Sequence, residues 1–190
     1  MKITIFILIF LYSFKNVFAQ NLEKVYLAGG CFWCMEEAFD QVYGVIETRS
    51  GYSGGHIKNP KYEDVVKNTT GHYETLEIIF DKSKLNFNKL LDVYWVNIDP
   101  FDDEGQFCDK GESYKSVIFF KNDKQKKIIS QSIDLIEKKF KKKVVTYVRK
   151  FEKFYVAEDY HQDYYEKNFI RYLLYKKGCQ REETLNRIWK

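Results

Sequence analysis

Two thiols three residues apart stand where a strand hands over to a helix. Gly30-Cys31-Phe32-Trp33-Cys34 follows the apolar run Lys24 to Ala28 and precedes a stretch with helical spacing. Unpaired N–H groups and the positive end of the helix dipole favour a thiolate at Cys31. Cys31 and Cys34 alone allow three readings: a redox pair whose first thiol is the nucleophile, half of a zinc site completed by Cys108 and Cys179 or a histidine, and a structural disulfide or two buried thiols. Zinc sites repeat the C-x-x-C or follow it with paired histidines, and neither pattern occurs here. Phe32 and Trp33 beside the thiol would give a nucleophile the apolar wall that an apolar substrate group requires.

A carboxyl forms the second element. Gly71-His72-Tyr73-Glu74 leads into Leu76, Ile78 and Phe80, so Glu74 shares a strand face with apolar residues. Burial there raises a carboxyl pKa and suits it to donate a proton near neutrality; the competing reading is a carboxylate at the sheet rim. A polar loop from Asp99 carries Cys108, Asp109 and Tyr114, and loops on a rigid scaffold often hold sites. His161, in Ala157-Glu158-Asp159-Tyr160-His161-Gln162, reads by itself as a hydrogen-bonded structural histidine.

The elements that position these residues follow from periodicity. Strands are expected at Lys24–Ala28, Val45–Gly51, Tyr73–Phe80, Tyr114–Phe120 and Val144–Val148. Helices are expected at Phe32–Val42, Asn88–Val96 and Lys124–Phe140, with a short one at Tyr62–Lys67. The lysines of the Lys124–Phe140 helix lie opposite its Ile129, Ile133, Ile136 and Phe140 stripe and read as a solvated face. Strand-helix-strand-strand-helix-strand, then a helix and a strand, predicts an α+β fold: a ferredoxin-like split βαβ core, a mixed sheet with flanking helices, and a loop-rich C-terminal segment.

The 190 residues carry a net charge of only +4, too mild to imply a nucleic-acid partner. Lys2, the apolar run Ile3–Phe14 and Val17-Phe18-Ala19 read as a signal peptide over 1–19. The apolar run falls short of the roughly 20 residues that span a bilayer. Residues 20–190 then form a single domain without a stable membrane span. Export, with the periplasm favoured, is the expected localisation.

Taken together, Gly30-Cys31-Phe32-Trp33, Gly51-Tyr52-Ser53-Gly54-Gly55, Asn59-Pro60-Lys61-Tyr62, Gly71-His72-Tyr73-Glu74, Asp109-Lys110-Gly111-Glu112-Ser113-Tyr114 and Ala157–Gln162 resemble the A-type peptide-methionine sulfoxide reductases. The resemblance implies thiol-dependent reduction of methionine-S-sulfoxide, free or in proteins, as protein repair under oxidative stress. It makes Cys31 the nucleophile and Glu74 the acid on the sulfoxide oxygen. Tyr62 and Tyr114 become hydrogen-bond donors to that oxygen, Asp109 a supporting residue, and Phe32 and Trp33 the S-methyl pocket. No cofactor or metal is implied. A second thiol would close a disulfide on the Cys31 sulfenic acid, and a thioredoxin-like reductant would reopen it. Cys179, with Gly178 as a hinge, is the first choice for that thiol; Cys34 is its rival and Cys108 a third. A monomer is expected. The alternative activity is a thioredoxin-like disulfide oxidoreductase using Cys31 and Cys34.

Overall fold

The structure, a computed structural model, describes residues 21–190. The signal-segment expectation therefore lies outside the described residues. The core follows the expected order: β1 (Leu22–Gly29), α1 (Phe32–Asp40), β2 (Val45–Ser53), β3 (Tyr73–Asp81), α3 (Phe87–Val96) and β6 (Ser116–Phe120). Between these lie the short helix α2 (Tyr62–Val65) and a small hairpin, β4 (Gly105–Gln106) with β5 (Asp109–Lys110). Then come α4 (Asp123–Phe140), β7 (Tyr147–Lys150) and β8 (Phe154–Val156).

The six-stranded sheet runs β7-β6-β1-β3-β2-β8. β1 is antiparallel to both β3 and β6, as Leu27 opposite Leu76 and Ala28 opposite Val117 show. β2 is antiparallel to β3, with Tyr52 opposite Glu74. Only β7, beside β6, is parallel to its neighbour. This is the split βαβ arrangement, in which β1 and β3 take the centre.

Alternation along the central strands divides the core in two. Leu27, Leu76, Ile78 and Phe80 turn to one face and meet Met35 and Phe39 of α1, Leu90, Leu91 and Tyr94 of α3, and Ile129 of α4. Tyr26, Tyr73, Val117 and Phe119 turn to the other, where Phe151 and Phe154 pack on them. Glu77 also lies on that second face, buried but satisfied by the Tyr26 hydroxyl at 2.9 Å and Lys24 at 3.2 Å. α3 and α4 start at asparagines, Asn86 and Asn122, whose side chains accept the Lys89 and Gln125 N–H groups.

Several expectations yield to tertiary pairing. The strand expected at Val144–Val148 shifts to Tyr147–Lys150, because Val144 and Val145 donate instead to Glu137 and Pro100. β8 is too short to leave a periodic signal. The C-terminal segment is not loop-rich: it holds α5 (Tyr164–Lys167), α6 (Phe169–Gly178) and α7 (Arg181–Trp189). Its aromatics supply the reason. Tyr164, Tyr165, Tyr172 and Tyr175 pack around Cys31, Cys34 and Trp33, and the Trp189 indole donates to the Ile98 carbonyl at 3.1 Å. Among the described residues no helix is long and apolar enough to cross a membrane.

Candidate active site

Cys31 is the residue before the first turn of α1, as its place in the sequence predicts. Gly30 brings it there with φ +78°, and a Cβ on Gly30 would lie 2.5 Å from the Gln106 Cβ. Only glycine fits both demands. Gln106 in turn exchanges hydrogen bonds with the Asp99 backbone, both at 2.8 Å, and so anchors the loop that carries Asp109 and Tyr114.

Glu74 completes the turn from β3. Its carboxylate accepts the Phe32 N–H at 3.0 Å, taking the place of a side-chain cap that Cys31 does not provide. The residue is 2% exposed. Burial pushes its pKa well above the usual carboxylate range, against the downward pull of the Phe32 N–H, and the nearby Asp109 and Cys34 add to the rise. Glu74 is thus a buried carboxyl at the helix N-terminus with a raised pKa, rather than a carboxylate at the sheet rim.

The thiols differ from expectation. Burial raises Cys31 well above an ordinary thiol, and its neighbours Cys34, Glu74 and Asp109 raise it further. Desolvation here outweighs the helix N-terminus that favours a thiolate. Cys34 moves the other way: a hydrogen bond from Cys31 lowers it against the effect of burial, with help from Arg181, the Tyr172 hydroxyl and Lys176.

The remaining predicted residues converge on the same space. Burial raises both Tyr62 and Tyr114, and the nearby Glu74 and Asp109 carboxyls add to the rise. Burial pushes Tyr62 up to about 12, so its hydroxyl remains a donor at neutral pH. Asp109 is raised by burial, while a hydrogen bond from the Tyr175 hydroxyl pulls it back. Phe32 is fully buried against Tyr52, with ring centroids 6.0 Å apart. The Trp33 indole stacks on Tyr164 at 3.7 Å and meets Tyr175 edge-on at 5.8 Å.

The other cysteines form a disulfide. Cys108 and Cys179 are bonded, with Cα atoms 5.0 Å apart, while Cys31 and Cys34 are free and buried. Cys179, the first choice for the resolving thiol, here staples the end of α6 to the β4–β5 hairpin beside Asp109. Cys108 is exposed. The Cys108, Asp109 and Cys179 ligand atoms lie within 4.8 Å of one another, but the disulfide occupies both sulfurs, so this is no metal centre in the present state.

Sequence reasoning missed several contributors. Glu158 accepts the Tyr62 N–H at 3.0 Å and the Tyr52 hydroxyl at 2.8 Å, holding the start of α2 and the partner of Phe32. His161 accepts the Trp33 indole N–H at 3.1 Å. Tyr175 reaches Asp109 from a segment read only as aromatic-rich. Glu158 stood inside a quoted motif without a role, whereas His161 is the hydrogen-bonded histidine read from the sequence, with the Trp33 indole as its partner.

Comparison with known proteins agrees with this geometry. The family model described as peptide methionine sulfoxide reductase matches residues 23–190. A protein of Bacillus licheniformis named peptide methionine sulfoxide reductase MsrA is 46% identical over 173 residues, covering 90% of this chain and 96% of that one. The crystal structure of Mxr1 from Saccharomyces cerevisiae in reduced form superposes with a TM-score of 0.75 at 26% identity, covering 78% of this chain and 87% of that one. Mxr1 in complex with Trx2 shares the fold, with a TM-score of 0.55 at 20% identity over 76% of this chain and 86% of that one.

Proposed function

The chain belongs to the peptide methionine sulfoxide reductase family, and from that premise we propose how its own residues divide the work. It is an oxidoreductase that reduces methionine sulfoxide by thiol chemistry. We assign it the S epimer, with the S-methyl group against Phe32 and Trp33 and the oxygen toward Glu74, Tyr62 and Tyr114. The carrying observation is the buried Glu74 carboxyl fixed on the N–H of the residue that follows Cys31.

The sulfoxide oxygen leaves only when protonated. Glu74 supplies that proton while the Tyr62 and Tyr114 hydroxyls stabilise developing charge, with Asp109 in support. Cys31 attacks the sulfur and its thiol proton passes to Cys34. Oxygen transfer leaves methionine and a Cys31 sulfenic acid; the substrate sulfur is reduced and the Cys31 sulfur oxidised by the same two electrons.

Buried Cys31 cannot meet a protein reductant directly, whereas exposed Cys108 can. We propose that in the reduced enzyme the Cys179 thiolate attacks the sulfenic acid, releasing water and forming Cys31–Cys179. The Cys108 thiolate then attacks the Cys179 sulfur, forming Cys108–Cys179 and returning Cys31 as a thiolate. A thioredoxin-like dithiol reduces the exposed disulfide by exchange. Cys34, in contact with Cys31, is the second candidate for the resolving thiol. The reaction requires no cofactor beyond that reductant, and the enzyme acts as a monomer. We also propose that the chain is exported to the periplasm after loss of residues 1–19; the amino-terminal sequence of the mature protein tests this.

The activity assay is turnover of S- and R-methionine sulfoxide with dithiothreitol. S-selective product that vanishes in Cys31→Ser is expected, and activity surviving that substitution overturns the assignment. Insulin reduction independent of Glu74 would instead favour a disulfide oxidoreductase. Mass mapping after one turnover decides the thiol order. Cys179→Ser should let the sulfenic acid accumulate; accumulation in Cys34→Ser alone transfers the role to Cys34.

A further inference from the structure

His161 lies beside both walls of the methyl pocket, Phe32 and Trp33, and beside Tyr62, but has no part in the proton or thiol steps. Its ring lies 4.9 Å from Phe32, 4.4 Å from Tyr62 and 5.7 Å from Trp33, measured between centroids. Its Nδ1 accepts the Trp33 indole N–H at 3.1 Å. The side chain is 1% exposed, and its Nε2 is buried without a hydrogen-bond partner among the described residues.

An indole N–H is only a donor, so its partner must accept. A neutral imidazole with its proton on Nε2 does this; an imidazolium cannot. Burial lowers the His161 pKa to about 4, with the Glu158 carboxylate opposing the shift. The unpartnered Nε2–H carries the desolvation cost of this tautomer. The His161 backbone N–H donates to the Glu158 carbonyl at 2.9 Å, and the Glu158 carboxylate also fixes Tyr62. One short turn thus sets two pocket walls.

We propose that His161 is a positioning residue that determines substrate specificity: as the neutral acceptor of the Trp33 indole it fixes the pocket width to an S-methyl group. Tyr164 stacks on the indole face but leaves it free to slide in its plane; the bond to Nδ1 removes that freedom. This inference rests on Phe32 and Trp33 forming the methyl pocket, as assigned above.

The test compares His161→Asn, whose amide oxygen can take the place of Nδ1, with His161→Gln and His161→Ala, which lack an acceptor there. Steady-state rates are measured for the S-sulfoxides of methionine and of its S-ethyl analogue. Ala and Gln should lower kcat/KM for the methyl substrate about five- to tenfold, the worth of one hydrogen bond. They should do so chiefly through KM, and should narrow the methyl-over-ethyl preference; Asn should restore both. A purely structural role would not distinguish Asn from Gln at equal folded fraction. Nitrogen-detected NMR of the wild type supplies a readout that needs no variant to fold: Nε2 protonated and Nδ1 accepting is expected. A proton on Nδ1, or an unchanged methyl preference in folded Ala and Gln variants, overturns the inference. Wild-type protein without sulfoxide turnover would instead sink the proposed function, while the NMR result would still decide the hydrogen bond.

Discussion

Replacing Glu74 by Gln separates proton donation from architecture. The glutamine amide oxygen can still accept the Phe32 N–H now held at 3.0 Å, so the start of α1 keeps its partner. Because burial raises the pKa of the native carboxyl and so favours its uncharged form, the uncharged amide is a close replacement, and folding stability should change by less than about 1 kcal/mol, the scale of a single net hydrogen bond. Only the acidic proton is lost. A positioned general acid contributes about 10²- to 10⁴-fold, or about 2.7–5.4 kcal/mol of barrier at 1.36 kcal/mol per tenfold. With Glu74 only 2% exposed, water has little access to replace it, so a loss of about 10³ in the sulfoxide step is expected. Single-turnover formation of methionine without reductant isolates that step from disulfide exchange. The pH dependence has a definite sign. The acid works when protonated, so its contribution is present below its raised pKa and declines as pH rises through it. The variant should lose that alkaline decline. Glu74→Gln that keeps more than about a tenth of the rate, or retains the same decline, would refute the proton-donor role.

Other perturbations probe the frame around the site. The Cys108–Cys179 bond closes a separation of 71 residues, for which chain entropy gives about 4 kcal/mol. Cys108→Ser should lower the urea-unfolding stability of the oxidised protein by that order, and an unchanged midpoint would contradict it. Glu36, fully buried with Oε1 unpartnered, is raised to about 8, chiefly by burial. Its folded state therefore holds a proton the unfolded chain gives up near pH 4.5; stability is full below that value and declines as pH rises through about 8. Glu36→Gln should flatten this slope in denaturant titrations between those limits. Arg181 binds the Asn97 carbonyl at 2.6 Å and lies 4.3 Å over the Phe107 ring. Arg181→Met should cost about 1.5–3 kcal/mol and shift Cys34 alkylation to higher pH, since the guanidinium helps to lower that thiol.

What could be read in advance was local. Cys31 at a strand-to-helix junction and Glu74 in a period-two run are facts of neighbouring residues, and the core order follows from the same periodicities. Cys108 with Cys179 is different: cysteine spacing does not fix connectivity, and the partners meet only because α6 returns to the β4–β5 hairpin. The helical C-terminal segment was obscured for a related reason. Its polar and charged positions suggest a loop, while its tyrosines reveal their purpose only against α1. The helix terminus at Cys31 is visible in the sequence, whereas its burial by Tyr172 and Tyr175, far along the chain, is not.

The lateness of those tyrosines has a consequence for biogenesis. Cys34 is made about 140 residues before Tyr175, which at roughly 5–20 residues per second is on the order of ten to thirty seconds of synthesis. During that interval α1 and its two thiols exist without the cover that α5 and α6 provide. A nascent chain meeting an oxidant can pair only the neighbours Cys31 and Cys34 until Cys108 emerges, and Cys179 comes last. The order of translation thus favours a mispairing that the finished fold disfavours, and the yield of active enzyme should depend on a reducing environment most strongly while the chain is incomplete.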